Sequence, residues 1–141
     1  MNVIYLPAET EDIDPIFTQA KHLIDTYEDT DAIDYDKVLI WVRRKIEENI
    51  SQYTCAWCDG CKAAYYRLCD DGELDDLYVL PAFRGRGIGS AILRRCIENG
   101  AKPMYLYVFT QNTGAIRLYE RFGFVKTQTV GNTRLILRRS G

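Results

Sequence analysis

Leu77-Tyr78-Val79-Leu80-Pro81-Ala82-Phe83-Arg84-Gly85-Arg86-Gly87-Ile88-Gly89-Ser90 is the stretch on which the reading of this chain turns. A short apolar run suited to a strand meets a proline, crosses an arginine- and glycine-rich turn, and enters a segment with helical periodicity. In that segment, Ile88 to Asn99, the inner face is Ile88, Ala91, Ile92, Cys96 and Ile97, while Arg94, Arg95, Glu98 and Asn99 point outward and Gly100 closes the helix. Glycines let the backbone turn tightly and leave no side chain between its N–H groups and a ligand. The helix that follows adds unsatisfied N–H groups and the positive end of its dipole. Such a turn is an anion site, and Arg84 and Arg86 can add charge-assisted hydrogen bonds to phosphate oxygens. Two other glycine-loop chemistries fit worse. The dinucleotide fingerprint requires glycine where Ser90 stands, and the P-loop requires a lysine that this turn lacks.

Upstream of the turn, Val3 to Leu6 reads as a strand. Ile13, Ile16, Phe17, Ala20, Leu23, Ile24 and Tyr27 then repeat at helical spacing, with Thr10 or Asp12 as cap and Pro15 in the first turn. An acidic connection, Glu28 to Asp36, leads to a second helix with Val38, Leu39, Val42, Ile46 and Ile50 on one side. Strands follow at Tyr53 to Cys58, Lys62 to Cys69 and Glu73 to Val79, punctuated by Asp59-Gly60 and Asp70-Asp71-Gly72, which makes a meander. Downstream come a strand at Met104 to Phe109, a short helix from Thr113 to Arg121 stopped by Gly123, and strands at Phe124 to Val130 and Thr133 to Arg138 about Gly131-Asn132. The expectation is an α/β or α+β fold, a central mixed and mostly antiparallel sheet flanked by about four helices.

The chain of 141 residues has the length of one domain, and no repeat or linker divides residues 1–141. Its longest apolar runs are far shorter than the roughly 20 residues that span a bilayer, and Met1 to Tyr5 lacks a signal pattern, so no membrane association is expected. Five cysteines, an odd number, fit a reducing, cytoplasmic compartment. Residues 1–36 hold ten of the twenty carboxylates against Lys21 alone, leaving the remainder basic. A basic body suits a phosphorylated cofactor and an acidic segment suits a cationic substrate. Nucleic acid is a poor partner for a chain whose pI is about 5.4 and whose arginines are spread over several elements.

The central stretch closely resembles the main motif of the GNAT acetyltransferase superfamily, Gln or Arg, two residues, Gly, one residue, Gly or Ala, matched by Arg84, Gly87 and Gly89. Downstream, Asn112 followed by a helix with Tyr119 and the pair Gly123-Phe124 resembles the family's second motif. The resemblance covers nearly the whole chain. It implies acetyl-CoA as co-substrate, no metal, and direct attack of a primary amine, from a small and cationic acceptor, on the thioester. Residues 84–90, namely Arg84, Gly85, Arg86, Gly87, Ile88, Gly89 and Ser90, would hold the pyrophosphate. Main-chain groups of Leu77, Tyr78 and Val79, with the Asn112 side chain, would hold the pantetheine arm, and an N–H near Val79 would polarise the carbonyl. Tyr119 would assist the leaving thiolate.

The base is less determined by the motifs. Some family members carry a Glu five residues ahead of the Asn, but Tyr107 stands there. Glu73 and Asp75 lie two apart in a strand and share a face, with Asp76 on the other unless a bulge intervenes. Both are therefore candidate bases, and Leu74 to Val79 is similar to polyamine acetyltransferases of the spermidine type, where an acid matching Asp75 is the proposed base. A non-catalytic acetyl-CoA-binding domain and a protein N-terminal acetyltransferase are the alternatives, and a homodimer is left open. The spacing of Cys55, Cys58 and Cys61 could hold a metal, but in a hairpin Cys55 faces away from the other two and no histidine joins them. His22, the lone histidine, belongs to the polar side of the first helix.

Overall fold

The structure is a computed structural model that describes residues 2–100 and 103–140. Its elements are β1 (Val3–Pro7), α1 (Ile13–Tyr27), α2 (Tyr35–Asn49), β2 (Thr54–Cys58), β3 (Cys61–Leu68), β4 (Leu74–Val79), α3 (Ile88–Asn99), β5 (Met104–Phe109), α4 (Thr113–Arg121), β6 (Val125–Val130) and β7 (Arg134–Arg139). Strands β1-β2-β3-β4 form one antiparallel sheet and β5-β7-β6 another. The expected mixed character of the sheet resides in one parallel bridge, Glu73 to Tyr105, which joins the two where β4 and β5 begin.

Strand alternation sorts side chains to the two faces. Cys55 and Tyr65 join Ile16, Ile24, Val42 and Ile46 of α1 and α2 in one core layer. Ala56, Ala64 and Tyr66 join Ile88, Ile92, Leu93 and Cys96 of α3 in the other. The result is a sheet covered by helices on both faces. Within the α1–α2 layer, the buried carboxylate of Asp12 accepts from Tyr65 Oη at 2.7 Å, Lys62 Nζ at 2.8 Å and the Glu9 N–H at 2.8 Å. Asp12 thereby completes a capping box at the one-turn 3₁₀ helix before α1 and pins α1 to β3.

The turn chemistry explains the connections. Asp59 and Gly60 both take positive φ, 50° and 85°, as a two-residue hairpin of matching twist requires. The last hairpin differs from the expected two-residue turn: Val130 pairs with Arg134, so three residues, Gly131 to Thr133, make the connection. Gly100 ends α3, but with φ −93° and ψ 178° it is extended rather than left-handed. Its missing side chain serves close packing instead, because a Cβ there would lie 2.4 Å from the Cys96 carbonyl oxygen and 2.6 Å from a Leu68 methyl. Gly100→Ala should therefore destabilise the protein by on the order of 1–3 kcal/mol. Gly114→Ala, in α4 with nothing within 4 Å of its added Cβ, should be neutral or gain up to about 1 kcal/mol. Urea denaturation of the two variants checks the contrast.

Candidate functional site

Beyond the Glu73–Tyr105 bridge β4 and β5 part, and a cavity of about 920 Å³ opens between them. Leu77, Tyr78 and Val79 line one wall, Val108 and Phe109 the other. Leu80 donates its N–H to the Ala63 carbonyl at 2.8 Å. Hydrogen-bonded pairs alternate along an antiparallel ladder, so Tyr78 spends its main-chain groups on β3 while Leu77 and Val79 present theirs to the gap. The edge of β4 is thus an unpaired template for an extended ligand.

At the mouth of the gap stands the glycine turn. Gly85 and Gly87 have φ of 77° and 82°, and a Cβ added to either meets nothing within 4 Å, so the turn is open on its ligand side. No side chain caps α3, which leaves its first N–H groups directed at that opening. Ile88 is buried and anchors the helix. Gly89 admits Leu118 of α4, whose methyl would lie 3.3 Å from an added Cβ, and Ser90 is half-buried. The two arginines divide their work differently from the sequence expectation. Arg84 donates through Nε to the Val79 carbonyl at 3.2 Å and through Nη2 to Gln19 at 3.4 Å, bracing the turn against β4 and α1. Arg86 lies over the Phe83 ring at 5.2 Å and keeps its donors exposed.

Deeper in the cavity are Asn112, Tyr119 and three acids. Asn112 Oδ1 caps α4 by accepting the Ala115 N–H at 3.3 Å, leaving its NH₂ as a donor. Tyr119 is buried, its ring edge-on to Phe124, and its hydroxyl has no hydrogen bond among the described residues. Burial, then the charge of Asp76, pushes its pKa well above the usual phenol value, so it remains a neutral donor.

The acids are distributed by a bulge. Arg67 pairs with Asp76 and Leu68 with Leu74, so Asp75 is the extra residue and both aspartates reach one lysine. Asp75 accepts from Arg67 at 2.6 Å and lies 3.2 Å from Lys45. Asp76 accepts from Tyr53 Oη, from Tyr78 Oη at 2.7 Å and from Lys45 at 3.5 Å. Burial lowers the Lys45 pKa, but the charges of Asp76 and Asp75 outweigh it and hold the ammonium protonated. Glu73 is half-buried, has no ion pair or side-chain hydrogen bond among the described residues, and is raised in pKa by burial and by the charges of Asp75 and Asp71.

Lys45 and Tyr53 went unread in the sequence, and Asp76 belongs to the other face of the strand unless a bulge intervenes, which it does. Lys45 does follow Val38, Trp41 and Val42 on one face of α2, a spacing that places it in the cavity. Of the acids in the α1–α2 connection only Glu28 lines the cavity, tied to Thr133 Oγ1 at 2.5 Å. Asp34 instead caps α2 through the Lys37 N–H at 3.2 Å. His22 is exposed at the cavity rim. Cys55 and Cys58 are buried in opposite core layers and Cys61 is exposed. Among the described residues the one group of three donors close enough to share an ion is Cys69, Asp71 and Glu73. No described helix is long and apolar enough to cross a membrane.

The profile of the family described as "Acetyltransferase (GNAT) family" matches residues 11–124. An uncharacterized N-acetyltransferase of Methanocaldococcus jannaschii is 39% identical over 71 residues, 47% of this chain and 31% of that protein. The spermine/spermidine N(1)-acetyltransferase of Bacillus subtilis is 39% identical over 56 residues, 36% of this chain and 37% of that protein. The matched stretch thus spans about a third of the length of these curated relatives. In fold the chain is similar to the PaiA N-acetyltransferase of Thermoplasma acidophilum in complex with coenzyme A, with TM-score 0.75, 17% identity and complete coverage of both chains.

The bulge cluster has a measurable consequence. Asp76→Ala strands two phenols in a buried site and leaves Lys45 with Asp75 alone, and should cost about 2–4 kcal/mol in urea denaturation. Asp36→Ala, at an exposed position, should change stability by less than about 0.5 kcal/mol.

Proposed function

Because this chain belongs to the GNAT acetyltransferase family, we propose that it is an acetyl-CoA-dependent N-acetyltransferase acting on a primary amine that arrives as a small cationic acceptor. The observation that carries the reading is the gap between β4 and β5, whose lining runs from Arg84 of the glycine turn to Tyr119 and Glu73. Residues 1–141 act as one unit in it, in a reducing cytoplasmic compartment that suits five free cysteines.

The residues present fit a nucleotide thioester. The open turn at Gly85, Arg86 and Gly87 and the first N–H groups of α3 match a pyrophosphate. The exposed main-chain edge at Leu77 and Val79, with the Asn112 amide, matches an amide-bearing arm. When bound, acetyl-CoA supplies the acetyl group in activated form, as a thioester. Glu73 takes one proton from the acceptor's ammonium, its raised pKa making it a better base than an ordinary carboxylate. The freed amine forms the C–N bond as the C–S bond breaks, and the second proton from nitrogen ends on sulfur. A Val79 N–H stabilises the charge on the carbonyl oxygen. Tyr119 stays protonated and donates a hydrogen bond to the departing thiolate. Asp75, committed to Arg67 and Lys45, shapes the site's potential and leaves the base role to Glu73.

Acetyl-CoA and desulfo-CoA should both raise the melting temperature of the protein, by mass action on the native state. Gly87→Trp, which fills the open side of the turn, should abolish the shift while its own ligand-free unfolding stays cooperative. An undiminished shift in that variant would place the nucleotide elsewhere.

For the chemistry, Tyr119→Phe should lower kcat by about 10²-fold with little change in acetyl-CoA affinity, since the hydroxyl acts as charge develops on sulfur. The acid limb of kcat/KM should fall above the ordinary carboxylate range, because a base with raised pKa is lost earlier as pH falls, and Glu73→Gln should remove that limb. A limb unchanged in Glu73→Gln would give the base role to another group.

A further inference from the structure

The acidic segment, residues 1–36, suits a cationic substrate, yet the α2 wall of the cavity is apolar. Trp41 lines it with 64% of its surface exposed, an unusual position for the largest apolar side chain unless something covers it. Trp41 lies four residues before Lys45 on the same face of α2, so its Cβ stands one helical turn, about 6 Å, from that of Lys45, whose ammonium meets Asp75 and Asp76. Ile33 and Val38 extend the apolar wall beside it. Tyr27, stacked on Phe109 with centroids 6.1 Å apart, also lines the cavity.

The charges near the bulge are already matched. Asp75 and Asp76 are neutralised by Arg67 and Lys45. Among the described residues Glu73 and Glu28 have no ion pair; the proposed reaction uses Glu73, and Glu28 accepts from the Thr133 hydroxyl. A polyamine's second ammonium would find only Glu28, already engaged by that hydrogen bond. An apolar group next to the reacting amine would find Trp41, Ile33 and Val38.

The basicity of the acceptor points the same way. At pH 7 an α-amine, with pKa of about 7.7–8.0, is neutral in roughly one molecule in seven, whereas an alkylamine near 10.4 is neutral in about one in 2,500. A single half-buried carboxylate as base suits the first far better.

Resting on the transferase reading above, we propose that the acceptor is an α-amine carrying a large apolar side chain on the adjacent carbon, with Trp41 the residue that selects that side chain. The same chemistry occurs in an amino-acid derivative and at the N-terminus of a peptide.

The test is a panel of acceptors assayed with acetyl-CoA by free-thiol release at pH 7: phenylalanine amide, a tetrapeptide beginning with Phe, the same tetrapeptide beginning with Gly, and spermidine. Expected is a kcat/KM for the Phe acceptors at least about 10-fold above those for the Gly peptide and spermidine. Whether the amide or the Phe peptide is better identifies the source. Trp41→Ala should lower the Phe-to-Gly ratio by about 10-fold through KM, and Trp41→Phe should restore most of it. Spermidine as the best acceptor, or a Phe-to-Gly ratio untouched in Trp41→Ala, overturns the assignment while leaving the transferase reading intact. Turnover of none of the four, with the acetyl-CoA melting shift preserved, overturns the transferase reading itself.

Discussion

The parting of β4 from β5 is the constraint on which the rest of the molecule depends. Two parallel strands joined by one bridge, Glu73 to Tyr105, leave the main chain of Leu77 and Val79 without a strand partner. Buried backbone groups do not stay unpaired without cost, so the fork must either fill with another chain or serve a ligand. Its arms are kept apart by packing: α1 and α2 fill one side and α3 and α4 the other, and Arg84 braces the open end by bonding the Val79 carbonyl and Gln19. In the proposed reaction the same geometry sets the order along the gap, with anion recognition at the mouth and proton transfer near the apex.

The bulge at Asp75 is the second determinant. A regular strand would send Asp75 and Asp76 to opposite faces. The extra residue lets both meet Lys45, while Glu73 has no ion pair among the described residues, so the irregularity separates the acids held in the network from the one proposed as base. The division is electrostatic: Asp75 is occupied by two cations, whereas Glu73, half-buried and beside two other carboxylates, has its pKa raised by burial and by their charges.

Most of the architecture was legible because it is local. Helical spacing marked α1 through α4, Asp59-Gly60 marked its hairpin, and the order of glycines marked the turn before α3. What escaped the sequence was set by partners far along the chain. The bulge depends on the register of β4 against β3. Lys45 acquires its meaning from aspartates 30 and 31 residues away. Arg84, placed in a motif that binds phosphate, turned to a carbonyl within bonding reach on its own side of the turn. Gly100 closes α3 as expected, but its role as a close-packing contact escaped the sequence, since only Leu68 and the last turn of α3 reveal what a side chain would strike. Charge density misled for the same reason: residues 28–36 are acidic, yet direction rather than composition decides what a cavity sees, and only Glu28 faces it.

The cluster around Asp76 shows why the acceptor side is built as it is. Burying two carboxylates with one ammonium is expensive, and apolar residues of similar volume would serve stability at least as well. Here, however, every member is bonded: Tyr53 and Tyr78 supply hydroxyls, and Lys45 answers both aspartates. A fully satisfied network resists rearrangement, and this one joins α2, the start of β2 and the β4 edge, the three segments that must hold their relative positions if an amine is to meet a thioester at fixed distance. With Arg67 as the second cation its charges cancel among themselves, so the network fixes geometry without drawing cations away from Glu73. In the proposed reading that leaves the apolar surface of α2, led by Trp41, to act on whatever the amine carries.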